Sequence, residues 1–327
     1  MTAKKIGKRF VNQAPTVHAA PRDFVRWMQT REREKWPAWV EIVPQRPRHE
    51  RVQGDEIVAT FVNHSTVLLQ FGGLNVLTDP VFSPAVGPFG RVGPKRHHAP
   101  GVPFEALPPI DLVLISHDHY DHLDAPSVKR LAREHSPRFL APLGNAARLR
   151  RWGAAKVDEL DWWQRVEHEG VPITFVPAQH FSGRGLHDRD TTLWGGFVIG
   201  GEAGPIFFAG DTGMGPHFAE IRARFGPTRL ALIPIGAYEP RWFMRRVHID
   251  PAEAVEAHRV LEASKSLGIH FGTFQLTDEG RERPLVDLAR ACDAQGVPRE
   301  DFVALEPGHA LTLPSRDAER RLREGAE

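Results

Sequence analysis

The chain has 327 residues, 42 Lys or Arg against 41 Asp or Glu, a formal charge of +1 and 41 % hydrophobic residues. This composition excludes a disordered or fibrous chain and a uniformly basic binder of polyanions, and the length admits one large domain or two smaller ones. The charge is unevenly placed: residues 1–51 hold twelve Lys or Arg and five Asp or Glu, a local +7, leaving −6 for the remainder. Residues 1–52, rich in Pro, Arg and Trp, read as a basic, aromatic extension. One helix is expected there, over 21–35, since Pro37, Pro44 and Pro47 break any longer one. From about residue 54 the chain turns to short apolar runs broken by Gly and Pro. Residues 57–61, 67–71 and 74–77 read as antiparallel strands, with Gly72 and Gly73 in a hairpin turn. Residues 109–116 form the nearly continuous apolar run of a strand buried on both faces. A helix follows, with Asp124 as N-cap and Pro126 in its first turn. Further strands are expected at 173–176, 197–199, 206–208, 230–235 and 267–270, and a helix at 251–262 opened by a capping box of Asp250 and Glu253. Strands interspersed with helices make the body, residues 53–327, an α/β layered domain with sheets inside and helices outside.

Cys292 is the sole cysteine, which rules out an intrachain disulfide and a multi-cysteine zinc site, so metal chemistry has to use His, Asp or Glu. Residues 116–122 (SHDHYDH) place three imidazoles and two carboxylates directly after a buried strand. The His-x-His-x-Asp-His spacing suits two adjacent ions, His117 and His119 reaching one while Asp121 and His122 reach the other. These are ligands that Zn(II), Mn(II) or Fe(II) accept. His180, Asp211 and His270 each lie at or just past the end of a further apolar strand, and Gly210 beside Asp211 permits close backbone approach. With His180 on the first ion, His270 on the second and Asp211 bridging, each ion has four protein ligands and a position stays open for a bridging water. Asp121 and Asp211 are therefore the carboxylates assigned to catalysis. Two divalent cations set against these two carboxylates and a hydroxide leave roughly one positive charge, which attracts an anion. Phosphodiester hydrolysis fits best, and ester or lactone hydrolysis next.

The 117–122 motif with His180, Asp211 and His270 resembles the metallo-β-lactamase superfamily, whose fold is an αββα sandwich of two mixed sheets flanked by helices. Within it the chain is similar to the N-acylphosphatidylethanolamine-hydrolysing phospholipase D family. The matches are residues 77–82 (LTDPVF), 93–96 (GPKR), 107–111 (LPPID), 159–163 (ELDWW), 208–213 (FAGDTG), 233–244 (IPIGAYEPRWFM) and 269–274 (IHFGTF). Asp118 and residues 61–66 depart from the family pattern. The resemblance implies two zinc ions per chain, hydrolysis of N-acylphosphatidylethanolamine to phosphatidic acid and an N-acylethanolamine, and a homodimer. The alternatives are another phosphodiester, a lactone, or a non-catalytic lipid- or metal-binding role on the same scaffold.

Asp79, ending the strand at 74–77, is expected to orient ligands by hydrogen bonding from outside. Tyr120 contacts a phosphate oxygen or shapes the pocket. His64 and His248 either face the substrate or pack. Tyr238, Arg241, Trp242 and Phe243 either meet the phospholipid or anchor a buried loop. The aromatic cations of residues 1–51 either touch a membrane surface or pack on the acidic body. That acidic body argues against nucleic acid as a partner. With no apolar run of about 18 residues and no signal-peptide pattern, the expected location is the cytoplasm, with peripheral membrane contact through the arm.

Overall fold

A hairpin of β1 (Lys4–Ile6) and β2 (Arg9–Val11) and one helix, α1 (Pro21–Thr30), precede the first large sheet in a computed structural model that describes residues 2–15, 20–185 and 187–324. That sheet takes β3 (Ile57–Asn63), β4 (Thr66–Phe71), β5 (Leu74–Thr78), β6 (Leu112–Leu114), β7 (Arg138–Pro142) and β8 (Lys156–Leu160), with α2 (Ala125–Glu134) and α3 (Ala146–Arg151) between its later strands. The second sheet takes β9 (Arg165–His168), β10 (Val171–Val176), β11 (Gly196–Ile199), β12 (Ile206–Phe208), β13 (Leu230–Pro234), β14 (Lys265–Ile269) and β15 (Phe302–Val303). Helices α4 (His217–Phe225), α5 (Arg241–Met244), α6 (Pro251–Val260) and α7 (Arg283–Gln295) accompany it. β16 (Ala310–Leu313) then returns to pair with β3, and α8 (Arg316–Glu324) follows. Both sheets have seven strands and repeat one plan, three antiparallel pairings followed by three parallel ones.

Alternation along the strands produces the layers. Leu112 and Leu114 of β6 face the second sheet, in one cluster with Phe175, Phe197 and Phe208, while Val113 and Ile115 face outward onto Val128 and Leu131 of α2. Phe218 of α4 and Val255 of α6 join the cluster that covers the second sheet. The result is an αββα sandwich. Asp124 caps α2 by accepting the Ser127 amide, and Asp250 and Glu253 form the capping box of α6.

Two expected elements are shorter than their apolar patterns. The strand expected over 109–116 pairs regularly only at Leu112–Leu114, because the Ser116 amide leaves the ladder for the Asp79 carboxylate at 2.7 Å. The helix expected over 21–35 stops at Thr30. Beyond it Glu34 donates its amide to the Asp278 carbonyl at 2.9 Å and Arg33 reaches the Gln275 carbonyl at 2.6 Å, contacts that favour an extended backbone.

The arm packs on the body. Phe10 is 3 % exposed inside the main core cluster and its amide meets the Asp190 carbonyl at 2.8 Å. Asn12 exchanges two hydrogen bonds with the His180 backbone, at 2.8 and 3.1 Å. Trp27 and Trp36 donate their indole N–H groups to the Asp278 carboxylate and the Glu279 carbonyl. Phe10→Ala is expected to lower stability by about 3 kcal/mol, read as a lower urea midpoint at unchanged slope. A midpoint equal to that of the wild type would mean that this arm contact holds nothing in solution.

Candidate metal centre

The loop between β6 and α2 is shaped by Asp79, which is fully buried at the end of β5. Its carboxylate accepts the Ser116 amide at 2.7 Å and the Ser116 hydroxyl at 2.5 Å. The same carboxylate faces His122 Nδ1 at 2.6 Å. With Nδ1 of His122 donating, Nε2 is left to face Asp211 Oδ2 at 3.2 Å and Asp121 Oδ2 at 3.4 Å. The Ser116 oxygen lies 2.9 Å from His117 Nδ1, so Asp79 reaches His117 through the serine. His180 Nδ1 faces the Val247 carbonyl at 2.9 Å, which turns its Nε2 inward. From outside, the buried Asp118 accepts Arg148 Nη1 at 2.9 Å and the Gly183 amide at 2.8 Å, tying the metal loop to the segment after His180.

Three ring nitrogens, from His117, His119 and His180, lie within 4.8 Å of one another. A second group within the same limit comprises His64, Asp121, His122 and His270. Asp211 Oδ2 stands between them, 3.0 Å from His270 Nε2, 3.2 Å from His122 Nε2 and 3.8 Å from His180 Nε2. The approach depends on Gly210, at φ +62°: a Cβ there would lie 2.6 Å from the Ser116 Cβ.

Burial, reinforced by neighbouring rings, holds His117 and His180 well below the ordinary imidazole range. Burial also opposes charge on His122 and His270, but the Asp211 and Asp121 carboxylates outweigh it and raise both, His270 to about 9. The carboxylates are correspondingly held well below their usual range, despite burial, by His122 and His270. His122 Nε2, His270 Nε2 and Asp211 Oδ1 are buried yet have no hydrogen-bond partner among the described residues. Convergent imidazoles and carboxylates with orphaned inward atoms fit divalent cations of borderline hardness.

A cavity of about 400 Å³ opens over this centre. His119, Asp121, Asp211, His248 and His270 form its floor, Phe181, Phe243, Met244 and Leu276 are on its walls, and Arg189 and Arg246 line it. Two arm residues, Phe24 and Trp27, also line it. His248 Nδ1 is 3.9 Å from Asp211 Oδ2 and has no hydrogen-bond partner among the described residues. His64 braces the centre from behind, with Nε2 3.1 Å from Asp121 Oδ2 and 1 % exposure, and does not line the cavity.

Four other expected substrate residues lie outside the cavity lining. Tyr238 is a buried loop anchor whose hydroxyl donates to Asp287 Oδ2 at 2.7 Å. Arg241 pairs with Glu253 at 2.7 Å and Asp250 at 3.1 Å, because the helical turn of α5 sends Phe243 and Met244 inward and Arg241 toward α6. Trp242 is 38 % exposed under the Arg26 guanidinium and lines a neighbouring pocket. Tyr120 packs beside Val81 and Phe274, with Arg184 over its ring at 3.8 Å. Sequence reasoning overlooked Ser116, Phe181, Arg189, Arg246, Phe24 and Trp27. Phe181 and Arg246 had a usable signal in their closeness to His180 and His248, whereas the arm residues had none.

Residues 74–271 match the family model described as a beta-lactamase superfamily domain. An uncharacterized protein of Mycobacterium tuberculosis is 41 % identical over 256 residues, 77 % of this chain and 68 % of that one. The N-acyl-phosphatidylethanolamine-hydrolyzing phospholipase D 1 of Caenorhabditis elegans is 40 % identical over 277 residues, 80 % of this chain and 77 % of its own length. Among solved structures, an isothiocyanate hydrolase from Delia radicum gut bacteria superposes with a TM-score of 0.63 at 18 % identity, covering 79 % of this chain and 99 % of that one, a likeness of fold.

Asp79→Ala is expected to weaken metal retention about 10- to 100-fold, measured by elemental analysis after dialysis against a graded chelator. Retention equal to wild type would show that the ligands are oriented without it.

Proposed function

Since the chain belongs to the metallo-β-lactamase superfamily and is a metal-dependent hydrolase, we propose that it is a phospholipase D-type phosphodiesterase with two Zn(II) ions, which hydrolyses N-acylphosphatidylethanolamine to phosphatidic acid and an N-acylethanolamine. The observation that carries this reading is Asp211 Oδ2, which faces His180 of one ligand group and His122 and His270 of the other. His117, His119 and His180 would hold one ion, Asp121, His122 and His270 the other, with Asp211 shared. Bound divalent cations supply a lowered water pKa and stabilise charge on the attacking and leaving oxygens of an in-line displacement. The protein supplies the rest. Asp79 fixes His122 directly and His117 through Ser116, so their metal-facing nitrogens are set before substrate arrives. His248 presents its ring to the cavity beside Asp211, in reach of a phosphoryl oxygen. Apolar walls exclude water from the reacting group and suit a lipid. The relationship to the nematode phospholipase D supports the choice of substrate.

Incubating the metal-loaded protein with N-acylphosphatidylethanolamine should yield phosphatidic acid and N-acylethanolamine by mass spectrometry, and Asp211→Ala should lower turnover on the order of 10³-fold. Cleavage of a lactone or an unrelated diester, with this lipid untouched, would reject the assignment.

We also propose that the arm meets the lipid surface. No helix among the described residues is long and apolar enough to cross a membrane. The outer face of α1, however, carries Val25 and Met28 at 50 and 49 % exposure, within a helix that also holds Arg22 and Arg26. Co-sedimentation with anionic vesicles should fall as salt rises and on removal of residues 1–51. Binding indifferent to both would leave the arm a packing element only.

A further inference from the structure

Helix α1 places Phe24 and Trp27 on the active cavity, and Trp27 is anchored there by Asp278 and Phe243. Val25 and Met28 are half exposed, whereas Trp27 is 8 % exposed. The Trp27 indole donates to Asp278 Oδ2 at 2.6 Å and its ring stacks on Phe243 with centroids 5.1 Å apart. The Arg31 guanidinium, itself bonded to Asp278 Oδ1 at 2.8 Å, covers the same ring at 4.7 Å. Phe24 meets Trp27 edge-on at 5.9 Å. Near the start of the helix, Arg246 lies 3.8 Å from Asp23. The helix is thus attached close to Arg246 at one end and to Asp278 at the other, with Phe24 and Trp27 on the cavity between them.

The chemistry of that wall differs from that of the floor. The floor is imidazole and carboxylate, whereas Phe24, Trp27, Phe243, Met244 and Leu276 offer aromatic, thioether and aliphatic surface. A helix held mainly for stability would bury its apolar residues, yet α1 leaves Val25 and Met28 half open and buries Trp27, one of its two side chains on the cavity. We propose that α1 completes a hydrocarbon-chain subsite on the active cavity, in which Phe24 and Trp27 select the acyl chain carried by a phosphate ester bound at the floor. This rests on the lipid phosphodiester reading above. It assigns chain selectivity to the arm and not to the sandwich.

Alkyl phosphates from ethyl to dodecyl, titrated calorimetrically into the metal-loaded full chain, test the subsite without turnover. Each methylene that enters it should tighten binding by up to about fourfold until the cavity is filled. Phe24→Ala and Trp27→Ala should each flatten that dependence, so that dodecyl phosphate loses on the order of tenfold relative to ethyl phosphate. Phe24 is half exposed, so its truncation tests the wall even where loss of Trp27 loosens the arm. An unchanged chain-length dependence in both variants, or none in the wild type, overturns the subsite. If the dependence and its loss are observed while N-acylphosphatidylethanolamine is not cleaved, the subsite stands and the phospholipase assignment falls.

Discussion

Asp79 accepts hydrogen bonds from the Ser116 amide, the Ser116 hydroxyl and the His122 ring, and each donor is a positional constraint on the centre. The amide bond draws the backbone out of the sheet after β6 and begins the loop that carries four of the ligands. The ring bond fixes which nitrogen of His122 faces inward, and the serine passes the same control to His117. One carboxylate therefore orients rings in both ligand groups. A fully buried carboxylate is tolerable in this position only because donors surround it, and burial still pushes its proton affinity up. The apolar strands on either side supply rigidity, and Asp79 converts that rigidity into aim.

The remaining electrostatics follow from crowding imidazoles and carboxylates where water is scarce. Burial holds His117 and His180 low in proton affinity, whereas at His122 and His270 the Asp211 and Asp121 carboxylates outweigh burial and raise it. The centre thereby separates into positions that prefer neutral donors and a position that concentrates positive charge. The near-zero net charge of the chain conceals this arrangement, as it conceals the basic arm lying on an acidic body. Arg31 against Asp278 and Arg51 against Asp111 are two of the contacts through which those opposite excesses meet.

Much of the fold was legible because it rests on local pattern. Strands β3, β4, β5, β10, β11, β12, β13 and β14 and helices α2 and α6 lie where alternation and capping residues place them. The helix α7 and the strand β7 were not anticipated despite clear patterns, and other elements that escaped notice have weaker local signals. β8 and β9 are charged strands only partly buried, so alternation does not mark them, and the two-residue β15 and the half-exposed β16 are defined by their partners. At the site, the ligand residues stood out because imidazole and carboxylate at strand ends have few other uses. The substrate-facing residues did not, since Tyr238 and Phe243 look alike in sequence and are separated by an helical turn that sends one onto Asp287 and the other into the cavity. Phe24 and Trp27 were illegible for another reason: their place on the cavity is created by the fold, which sets both beside residues more than two hundred positions away and bonds Trp27 to Asp278.

The pairing of β16 with β3 sets Leu313 opposite Ile57, and between those two residues lie the second sheet and the seven candidate metal ligands. Contacts separated so widely in sequence carry a large closure entropy and are reached late in folding. An unfinished chain offers a cation little beyond the local 117–122 motif, since His180, Asp211 and His270 arrive only as the second sheet docks. The full donor set is therefore complete only once the two sheets have closed on each other, whether or not β16 has yet paired with β3.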